Sequence, residues 1–383
     1  MRSTKPRVAK WLRPASSQNG YMLVAALTLM TGLTLLGTTA YILTSTDIKV
    51  GTNFKNSQQV LQVAMAGTER ARELLRQENA NTGDVTTFSD ELSKSSRKGG
   101  NGILDGYTTT TDDTPITTGT MGGVAYSAYL SNDSVDGVSN QTDSNKKVML
   151  TTIATKSSDN SKAVVQTVVQ LYTGVTSPAT IYSKGDVTGN GSSLTIKGTD
   201  ECGVESPLAP IYTMSPAVTN INGSPTLTGS PATPQSGSLD LGVAAMVAAL
   251  KGAAHYNLTE DTQNATFGSS SSYKTVYSNT SSPPNVNGLK LNNLTGHGIL
   301  LVDGDLVLGG GFTWYGPIVV TGSVTLNGGG QDINVHGQIL SGTSTLTDVT
   351  INGGNVIQYN SCELKKAFAT QPLVVLNWKQ NLY

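Results

Sequence analysis

Residues 18–75 read QNGYMLVAALTLMTGLTLLGTTAYILTSTDIKVGTNFKNSQQVLQVAMAGTERARELL, and this stretch decides the N-terminal architecture. From Tyr21 to about Leu43 it contains apolar and small residues, with Gly and Thr but without a charged side chain. At a rise of about 1.5 Å per residue, this run spans about 34 Å as a helix, enough to cross the apolar core of a bilayer. The sequence therefore predicts a membrane-spanning helix.

The flanks of the apolar run predict its orientation. Segment 1–20 contains five basic residues and no acidic residue, namely Arg2, Lys5, Arg7, Lys10 and Arg13, and the first charge after the run is Asp47. Positively charged flanks stay in the cytoplasm, so we expect the rest of the chain to lie outside. Three interpretations are open: a signal peptide cut at a small-residue site such as 37–40, a permanent signal anchor, or the first half of a longer helix.

Helical periodicity continues beyond the apolar run. Between Asp47 and about Gln77, apolar residues recur at steps of three and four, and no proline occurs between Pro14 and Pro115. The sequence therefore predicts one helix of about 55 residues and about 85 Å, apolar in its first half and amphipathic in its second. The recurring residues are Val60, Ala64, Ala71, Leu74 and Leu75.

Residues 17–78 resemble the PilX family of minor type IV pilins. The similarity consists of a Gly before the apolar run, the sequence LTLLG at 33–37, and the break GTNF at 51–54 before an Ala-rich helix. The resemblance implies a basic leader peptide, residues 1–20, which prepilin peptidase removes between Gly20 and Tyr21 before the new amine is methylated. Without the five leader charges, the net charge of −1 becomes −1 − 5 = −6.

Two positions depart from the usual pilin pattern. Most pilins begin the mature chain with Phe and have Glu at its fifth position, whereas this chain has Tyr21 and Ala25. In major pilins that Glu is thought to neutralise a neighbour's amine inside an apolar core, where an unpaired charge is unfavourable. PilX-like subunits at filament tips also lack it. Ala25 therefore predicts a position at or near the tip, where the subunit helps to prime assembly.

The resemblance also implies a location and partners. The chain would cross the inner membrane once, with its N-terminus in the cytoplasm, and then enter an extracellular pilus. The expected partners are other minor and major pilins, prepilin peptidase, the assembly machinery of the inner membrane, and a surface ligand for an adhesive head. Small residues allow close approach of helices in a filament core, and the candidates are Ala25, Gly32 and Gly37.

The composition disfavours several other classes of protein. The 383 residues include 13% charged residues, 6% aromatic residues, two cysteines and three histidines. Low, unclustered charge disfavours a nucleic-acid-binding protein, and so few Cys and His residues disfavour a zinc site. The sequence contains no G-x-S-x-G, Walker or metalloprotease motif. We therefore predict no enzyme activity, catalytic residue, metal or cofactor.

After the helix, the sequence predicts an α+β fold. A pilin-like antiparallel head would pack on the amphipathic half of the helix, because one face of the sheet needs an apolar partner. Two of its strands are separated by a short polar turn and should form a hairpin. The predicted ranges are helix 21–80 with transmembrane half 21–43, head 81–175, loop 79–121, and strands 122–131, 147–156 and 163–173.

The distal half changes character twice. Residues 176–287 are rich in Gly, Ser and Pro; they include an Ala-rich stretch, 239–254, that predicts a buried helix, and a polar loop from 256. In 288–383, short apolar segments alternate with Gly, Asp and Asn turns roughly every eight to ten residues. This pattern favours a Gly-rich β-solenoid over a compact β-sandwich, with Leu373–Trp378 as a final strand.

The two cysteines predict a disulfide in the distal half. Export would place Cys202 and Cys362 in an oxidising compartment. A bridge closing a loop of about 160 residues would destabilise the unfolded chain by about 4–5 kcal/mol in the chain-entropy model. The alternative is two unpaired buried thiols.

One aromatic cluster is a candidate binding patch. Phe312, Trp314 and Tyr315 could contact a sugar or an adhesive ligand if exposed, whereas such residues also plug the ends of solenoids. The Asn and Asp residues of 132–143 match a calcium loop only in part, and a polar turn explains them. Two alternatives to a pilin stay open: a surface adhesin or anchored structural protein outside a pilus, and a polysaccharide-active enzyme.

Overall fold

The computed structural model describes residues 18–81, 85–94, 114–172, 174, 176–191, 193–280, 288–342 and 347–382. The predicted leader therefore lies outside the described residues, apart from 18–20 at its end. The described chain forms one long N-terminal helix followed by a large sheet-rich region, which confirms the predicted α+β class.

The N-terminal helix, α1 (Gln18–Ala80), is continuous over 63 residues. At about 1.5 Å per residue it is about 95 Å long, slightly longer than predicted. Its continuity follows from the absence of proline, and its many Leu and Ala residues have high helix propensity.

A five-stranded antiparallel sheet packs on the C-terminal half of α1. Its strands are β1 (Thr117–Met121), β2 (Val124–Asn132), β3 (Lys147–Lys156), β4 (Ser161–Gln170) and β22 (Val374–Leu382). The order is β1–β2–β3–β4–β22, so the last strand of the described chain lies at an edge beside β4. β3 and β4 form the predicted antiparallel hairpin. Alternate residues such as Ala163 and Val165 point to α1 and pack on Val60 and Ala64.

The stretch predicted as a loop, 79–121, contains regular structure in its described part. A short helix, α2 (Ser89–Ser93), follows Phe88, and β1 ends the stretch. Phe88 and Leu92 are buried in one cluster with Leu75 of α1. Two apolar residues in a polar segment are too few to show a helical period, so the prediction of a loop was wrong here.

The distal region consists mainly of short parallel strands. The strands before its first helix are β5 (Ala179–Ser183), β6 (Asp186–Asn190), β7 (Thr195–Lys197), β8 (Ala209–Met214), β9 (Thr219–Asn222), β10 (Thr226–Thr228) and β11 (Gln235–Gly237). After the helix α3 (Val243–Leu250) come β12 (Tyr256–Leu258), β13 (Thr262–Gln263), β14 (Thr266–Phe267), β15 (Lys274–Asn279), β16 (Leu289–Asn292), β17 (Thr295–Asp303), β18 (Leu306–Gly309), β19 (Thr313–Val320), β20 (Val324–Ser341) and β21 (Thr347–Gln358). The helix α4 (Ser361–Ala369) then leads to β22.

These strands pair in three parallel columns, which we call the first, second and third walls. The first wall runs through β12, β15, the second half of β17, β19 and β20, then β5, β8 and β11. The second wall runs through β13, β16, β18, the first part of β20 and β21, then β6 and β9. The third wall contains β14, the first part of β17 and β19, the middle of β20, the end of β21, then β7 and β10.

The chain does not fill these walls in sequence order. β5, β6 and β7 enter in the middle of the stack, and the chain then continues to one end at β11. After α3 it restarts at the other end with β12 and returns until Ile339 of β20 lies beside Ile181 of β5. The predicted division at residue 288 therefore does not separate structural units, and the predicted polar loop from 256 contains β12 to β15.

The space between the walls holds the main core. Its side chains alternate with outward ones along each strand, and Val187, Leu326 and Ile351 are fully buried there. At the corner between the third and first walls, backbones of successive turns approach closely. A Cβ atom at Gly316 would lie 2.2 Å from the carbonyl oxygen of Gly298, and one at Gly337 would lie 2.1 Å from that of Gly316. Glycine is therefore required at this corner.

Two helices cover the outer side of the first wall. Val243, Met246 and Val247 of α3 pack there together with Leu364 and Phe368 of α4. The predicted helix 239–254 is shorter in the structure, because α3 ends at Leu250 and one 3-10 turn follows. α4 was not predicted; the side chain of Asn360 caps it by accepting a hydrogen bond from the Glu363 backbone N–H.

Candidate assembly helix and outer surfaces

No other part of the described chain covers the first half of α1. From Tyr21 to Lys55, no side chain is buried; Tyr21 is 80% exposed and Phe54 is 67% exposed. Among the described residues, α1 is the one helix long and apolar enough to cross a membrane. We call residues 21–54 the exposed half and residues 56–80 the packed half of α1.

Threonine hydroxyls in the exposed half are satisfied by the helix itself. Thr31 Oγ1 donates to the Leu27 carbonyl at 2.9 Å, and Thr38 Oγ1 donates to the Thr34 carbonyl at 3.0 Å. The same bond to the preceding turn is formed by Thr28, Thr34, Thr39, Thr44, Thr46 and Thr52. A hydroxyl that is already bonded can enter an apolar environment at low free-energy cost. The exposed half is therefore compatible with lipid despite its many threonines.

Small residues in the exposed half have no structural role within this chain. A Cβ atom at Gly32 or Gly37 would meet nothing within 4 Å. With about 100° of rotation per residue, Ala25 and Gly32 lie within about 20° of each other on the helix, while Gly37 lies about 120° from Ala25. Ala25 and Gly32 thus share a face on which a second helix could approach closely.

The packed half of α1 shows the opposite pattern. Val60, Ala64, Ala71 and Leu75 are fully buried, at the positions that the periodicity indicated, and Leu74 is half-buried. Thr68 Oγ1 donates to Thr152 Oγ1 of the sheet at 2.9 Å. The change from exposed to packed occurs within one helix without a change in backbone conformation.

The predicted processing residues lie at the start of α1. Gly20 is helical in the structure, and the exposed side chain of Tyr21 follows it. Nothing in this geometry tests cleavage or methylation, which stay predictions.

The two cysteines are joined in the structure. The Cα atoms of Cys202 and Cys362 lie 6.2 Å apart, and their sulfur atoms form a disulfide. The bond ties the turn after β7 to the first turn of α4. Asp200 supports the same junction, because its carboxylate accepts hydrogen bonds from the backbone N–H and the hydroxyl of Ser361.

The candidate aromatic patch is not a surface patch. Phe312 and Trp314 are fully buried in the core between the walls, where Trp314 Nε1 donates to the Gly298 carbonyl at 3.0 Å. Tyr315 points outward and is half-buried, since its ring stacks between His297 at 4.3 Å and His336 at 4.7 Å. Alternate residues along a strand point to opposite sides. Phe312 and Trp314 point into the core and Tyr315 points outward, so these three side chains cannot bind one ligand together.

The acidic residues of 132–143 stabilise a turn. Asp133 Oδ1 accepts the backbone N–H groups of Val135 and Asp136, and Asp143 Oδ1 accepts that of Lys146 at 2.7 Å. Their oxygens face backbone donors, which is the chemistry of a polar turn. Within the described residues, no group of three His, Cys, Asp or Glu side chains is placed to hold a metal ion.

Part of the second wall presents a polar surface of uncharged side chains that the sequence did not reveal. Its outward side chains form one column of threonines and an adjacent column of asparagines over three successive strands. Asn352 Nδ2 donates to Asn327 Oδ1 at 3.2 Å across two of these strands. The columns are Thr188, Thr350 and Thr325, and Asn190, Asn352 and Asn327. We call this the Thr/Asn surface.

One buried carboxyl group lies beside the packed half of α1. Glu91 of α2 is fully buried, and burial raises the pKa of its carboxyl to about 7 from an ordinary value of 4.5. The polar side chain of Asn79, near the end of α1, and the positive charge of Lys94 oppose this shift in pKa. The group lies in the head rather than in a cleft, so we assign it no chemical role.

Comparisons with known proteins identify no family. No protein-family model matches the chain, and no curated protein matches it. A crystal structure of an ice binding protein from an Antarctic Biological Consortium is 12% identical; the match covers 50% of this chain and 96% of that one, with a TM-score of 0.27. The competence-associated pilin ComZ from Thermus thermophilus is 12% identical; the match covers 70% of this chain and 86% of that one, with a TM-score of 0.20. TM-scores this low do not indicate a shared fold.

Proposed function

We propose that this chain is a minor pilin of a type IV pilus, similar to the PilX family, with an enlarged distal head wound as a β-solenoid. The observation that supports it is the division of α1 into an uncovered apolar half and a half packed on an antiparallel sheet. An apolar helix of this length is stable first in lipid and then in a bundle of similar helices. The protein would have a structural role without enzyme activity.

The exposed half suits both environments. Its threonine hydroxyls are bonded within the helix, and no charged residue occurs between Tyr21 and Thr46, so insertion of this run into lipid leaves no threonine unsatisfied and buries no charge. Ala25 and Gly32 share one face, which would allow a neighbouring helix to pack closely after the subunit leaves the membrane. Ala25 also lacks the carboxylate that would pair with a neighbour's amine, which supports a place at or near the tip.

Processing can be tested with one substitution and a matched control. We expect Gly20→Leu to block cleavage, because a side chain at this position would obstruct the peptidase, and to leave full-length protein in the inner membrane. Gly51→Ala changes a helical glycine beyond the apolar run and should be processed normally. The measurement is the mass of the protein in membranes and in sheared surface filaments. Normal cleavage of the Gly20→Leu variant would contradict the proposal.

The proposed position at the tip has a separate test. Ala25→Glu would restore the carboxylate of shaft subunits, and we expect the variant to spread along the filament, as seen by immunogold labelling. If the variant stays as sparse as the wild type, the absence of Glu does not determine the position.

A second candidate function is adhesion through the Thr/Asn surface. The six side chains of this surface are uncharged and display hydroxyl and amide groups at a spacing of about 4.8 Å from strand to strand. We expect Thr350→Arg to reduce attachment of cells to polysaccharide-coated surfaces while the number of pili stays unchanged. Thr313→Arg, on the third wall, is the matched control. Equal attachment by both variants would exclude this surface as the adhesive one.

A further inference from the structure

A cavity of about 720 Å³ lies where the head meets the distal region. It is bordered by the end of α1, residues 85–86, α4, and the loop that leads into β15. This volume falls within the roughly 300–1,000 Å³ that small-molecule sites usually have. The disulfide lies at its edge, since Cys362 lines the cavity and anchors the first turn of α4.

The described lining of this cavity contains basic side chains and no acidic one. The basic residues are Arg76, His255, Lys274, Lys365 and Lys366. Three of them have acidic partners outside the lining: Arg76 pairs with Glu73, Lys365 with Glu205 at 2.7 Å, and Lys366 with Glu363 at 3.4 Å. Among the described residues, Lys274 forms no ion pair. A cavity so lined favours an anion.

The pKa of His255 is affected by the positive charges of this cavity. Burial lowers the pKa of its imidazole, and the positive charges of Lys274 and Arg76 lower it further. Its Nδ1 accepts the backbone N–H of Thr275 at 3.1 Å, so the neutral ring bears its proton on Nε2. The histidine therefore adds a neutral donor to a cationic site.

Hydroxyl groups complete the lining. Ser270, Ser271 and Ser272 form one exposed wall of the cavity, and Thr86 and Thr370 lie elsewhere on it. Hydroxyls both donate and accept hydrogen bonds, so they suit a ligand that carries hydroxyls as well as negative charge. A simple inorganic anion would use the cations but would leave most of the volume and the serines without a partner.

We propose that this cavity binds an acidic saccharide, with its carboxylate or sulfate at Lys274 and its hydroxyls at Ser270–Ser272. The site is independent of the roles of the exposed half of α1 and of the Thr/Asn surface. Failure to bind would leave the pilin assignment untouched, and failure of the pilin assignment would leave this site testable.

The test uses the full chain in detergent and isothermal titration with four probes: digalacturonate, a sulfated disaccharide, neutral maltose, and inorganic sulfate. We expect one or both acidic sugars to bind, maltose to bind at least about tenfold more weakly, and binding to weaken as salt is raised from 50 to 500 mM. The stronger of the two acidic sugars identifies the acidic group. Equal affinity for inorganic sulfate, or no binding by either acidic sugar, would overturn the proposal.

Two variants and a control locate the site. We expect Lys274→Gln to weaken binding of the acidic sugar about tenfold or more, and Ser271→Asp to abolish it by placing a like charge beside the ligand. Lys290→Gln removes a lysine from β16 on the second wall, outside the lining of this cavity, and should bind as the wild type does. Circular dichroism shows whether each variant is folded. Unchanged binding by folded Lys274→Gln would exclude this cavity.

Discussion

The two halves of α1 share one backbone conformation but have opposite surroundings. In the packed half, every third or fourth side chain is buried against the sheet, as Val60 and Leu75 show. In the exposed half, side chains of the same type, such as Leu33 and Leu36, are more than half exposed. Both halves are therefore helical whether or not their side chains are buried. Only the side chains of the packed half gain free energy from burial within this chain.

This difference in side-chain pattern explains how one helix can pack on a sheet along one half and present an uncovered apolar surface along the other. The packed half alternates apolar and polar residues at the helical period, which suits one covered face. From Tyr21 to Thr46, the exposed half carries no charge on any side, which suits lipid or a bundle of helices but not water. The two halves should therefore respond differently to the same kind of substitution.

The largest effect is expected in the packed half. Leu75→Ala removes a fully buried side chain from the cluster with Phe88 and Leu150, and should lower the free energy of unfolding by about 2–5 kcal/mol. Leu36→Ala, at a side chain that is 69% exposed, should change it by less than about 0.5 kcal/mol. Chemical denaturation of the full chain in detergent measures both. Similar effects of the two substitutions would remove the distinction between the halves.

A charge in the exposed half should affect insertion instead of folding. Leu33→Arg places a cation near the middle of the apolar run, which costs about 2.5–3.5 kcal/mol on insertion scales. We expect much of this variant to be extracted from membranes by alkaline carbonate. Gln62→Arg, on the exposed side of the packed half, should stay in the membrane like the wild type. If Leu33→Arg were retained in the membrane as fully as the wild type, the apolar run would not be the segment that holds the protein in the bilayer.

A pH effect is expected next to the packed half. Because the pKa of Glu91 is about 7 in the folded chain and 4.5 ordinarily, the folded state binds more protons between these values. The stability contribution of this group is therefore greatest below about pH 4.5 and declines as pH rises to about 7, by roughly 3 kcal/mol in total. We expect Glu91→Gln to flatten this part of the stability profile.

The matched control for this effect is Glu69→Gln, which changes an exposed carboxylate of α1. It should keep the wild-type slope between pH 4.5 and 7. If Glu91→Gln leaves the slope unchanged, burial does not raise the pKa of Glu91 as described.

The smallest effects on stability are expected from Gly→Ala substitutions at two positions of α1. One substitution should destabilise the protein and the other should stabilise it. A Cβ atom at Gly67 would lie 2.6 Å from the ring of Tyr126, so Gly67→Ala should destabilise the head by about 1–2 kcal/mol. Gly37→Ala meets nothing within 4 Å and gains helix propensity, up to about 1 kcal/mol in favour of the helix. Thermal unfolding followed by circular dichroism compares them. Stabilisation by both would mean that α1 and the sheet are not in close contact.

The features that local sequence controls were predictable. An uninterrupted apolar run, a helical period and the absence of proline were enough to indicate α1 and the residues that it buries. Alternation along β3 and β4, with a short polar turn between them, was enough to indicate a hairpin. In each case the signal lies within a few residues of the feature that it determines.

The features that depend on distant contacts were not predictable. The pairing of β5 with β20 joins residues about 160 positions apart, and nothing in either strand encodes this neighbour. α4 is short and contains polar residues on its outer side, so its period was not visible beside the cysteine. The burial of Phe312 and Trp314 and the Thr/Asn surface follow from strand register, which a single sequence does not show.

We propose that the exposed half of α1 enters a membrane and then a filament. Mass spectrometry of the N-terminal peptide, from sheared surface filaments and from membranes, tests it most directly. We expect a peptide that begins with methylated Tyr21 and is present in the sheared fraction. An intact Met1 leader confined to membranes would contradict the claim and indicate a signal anchor, and a start near Tyr41 would indicate ordinary secretion.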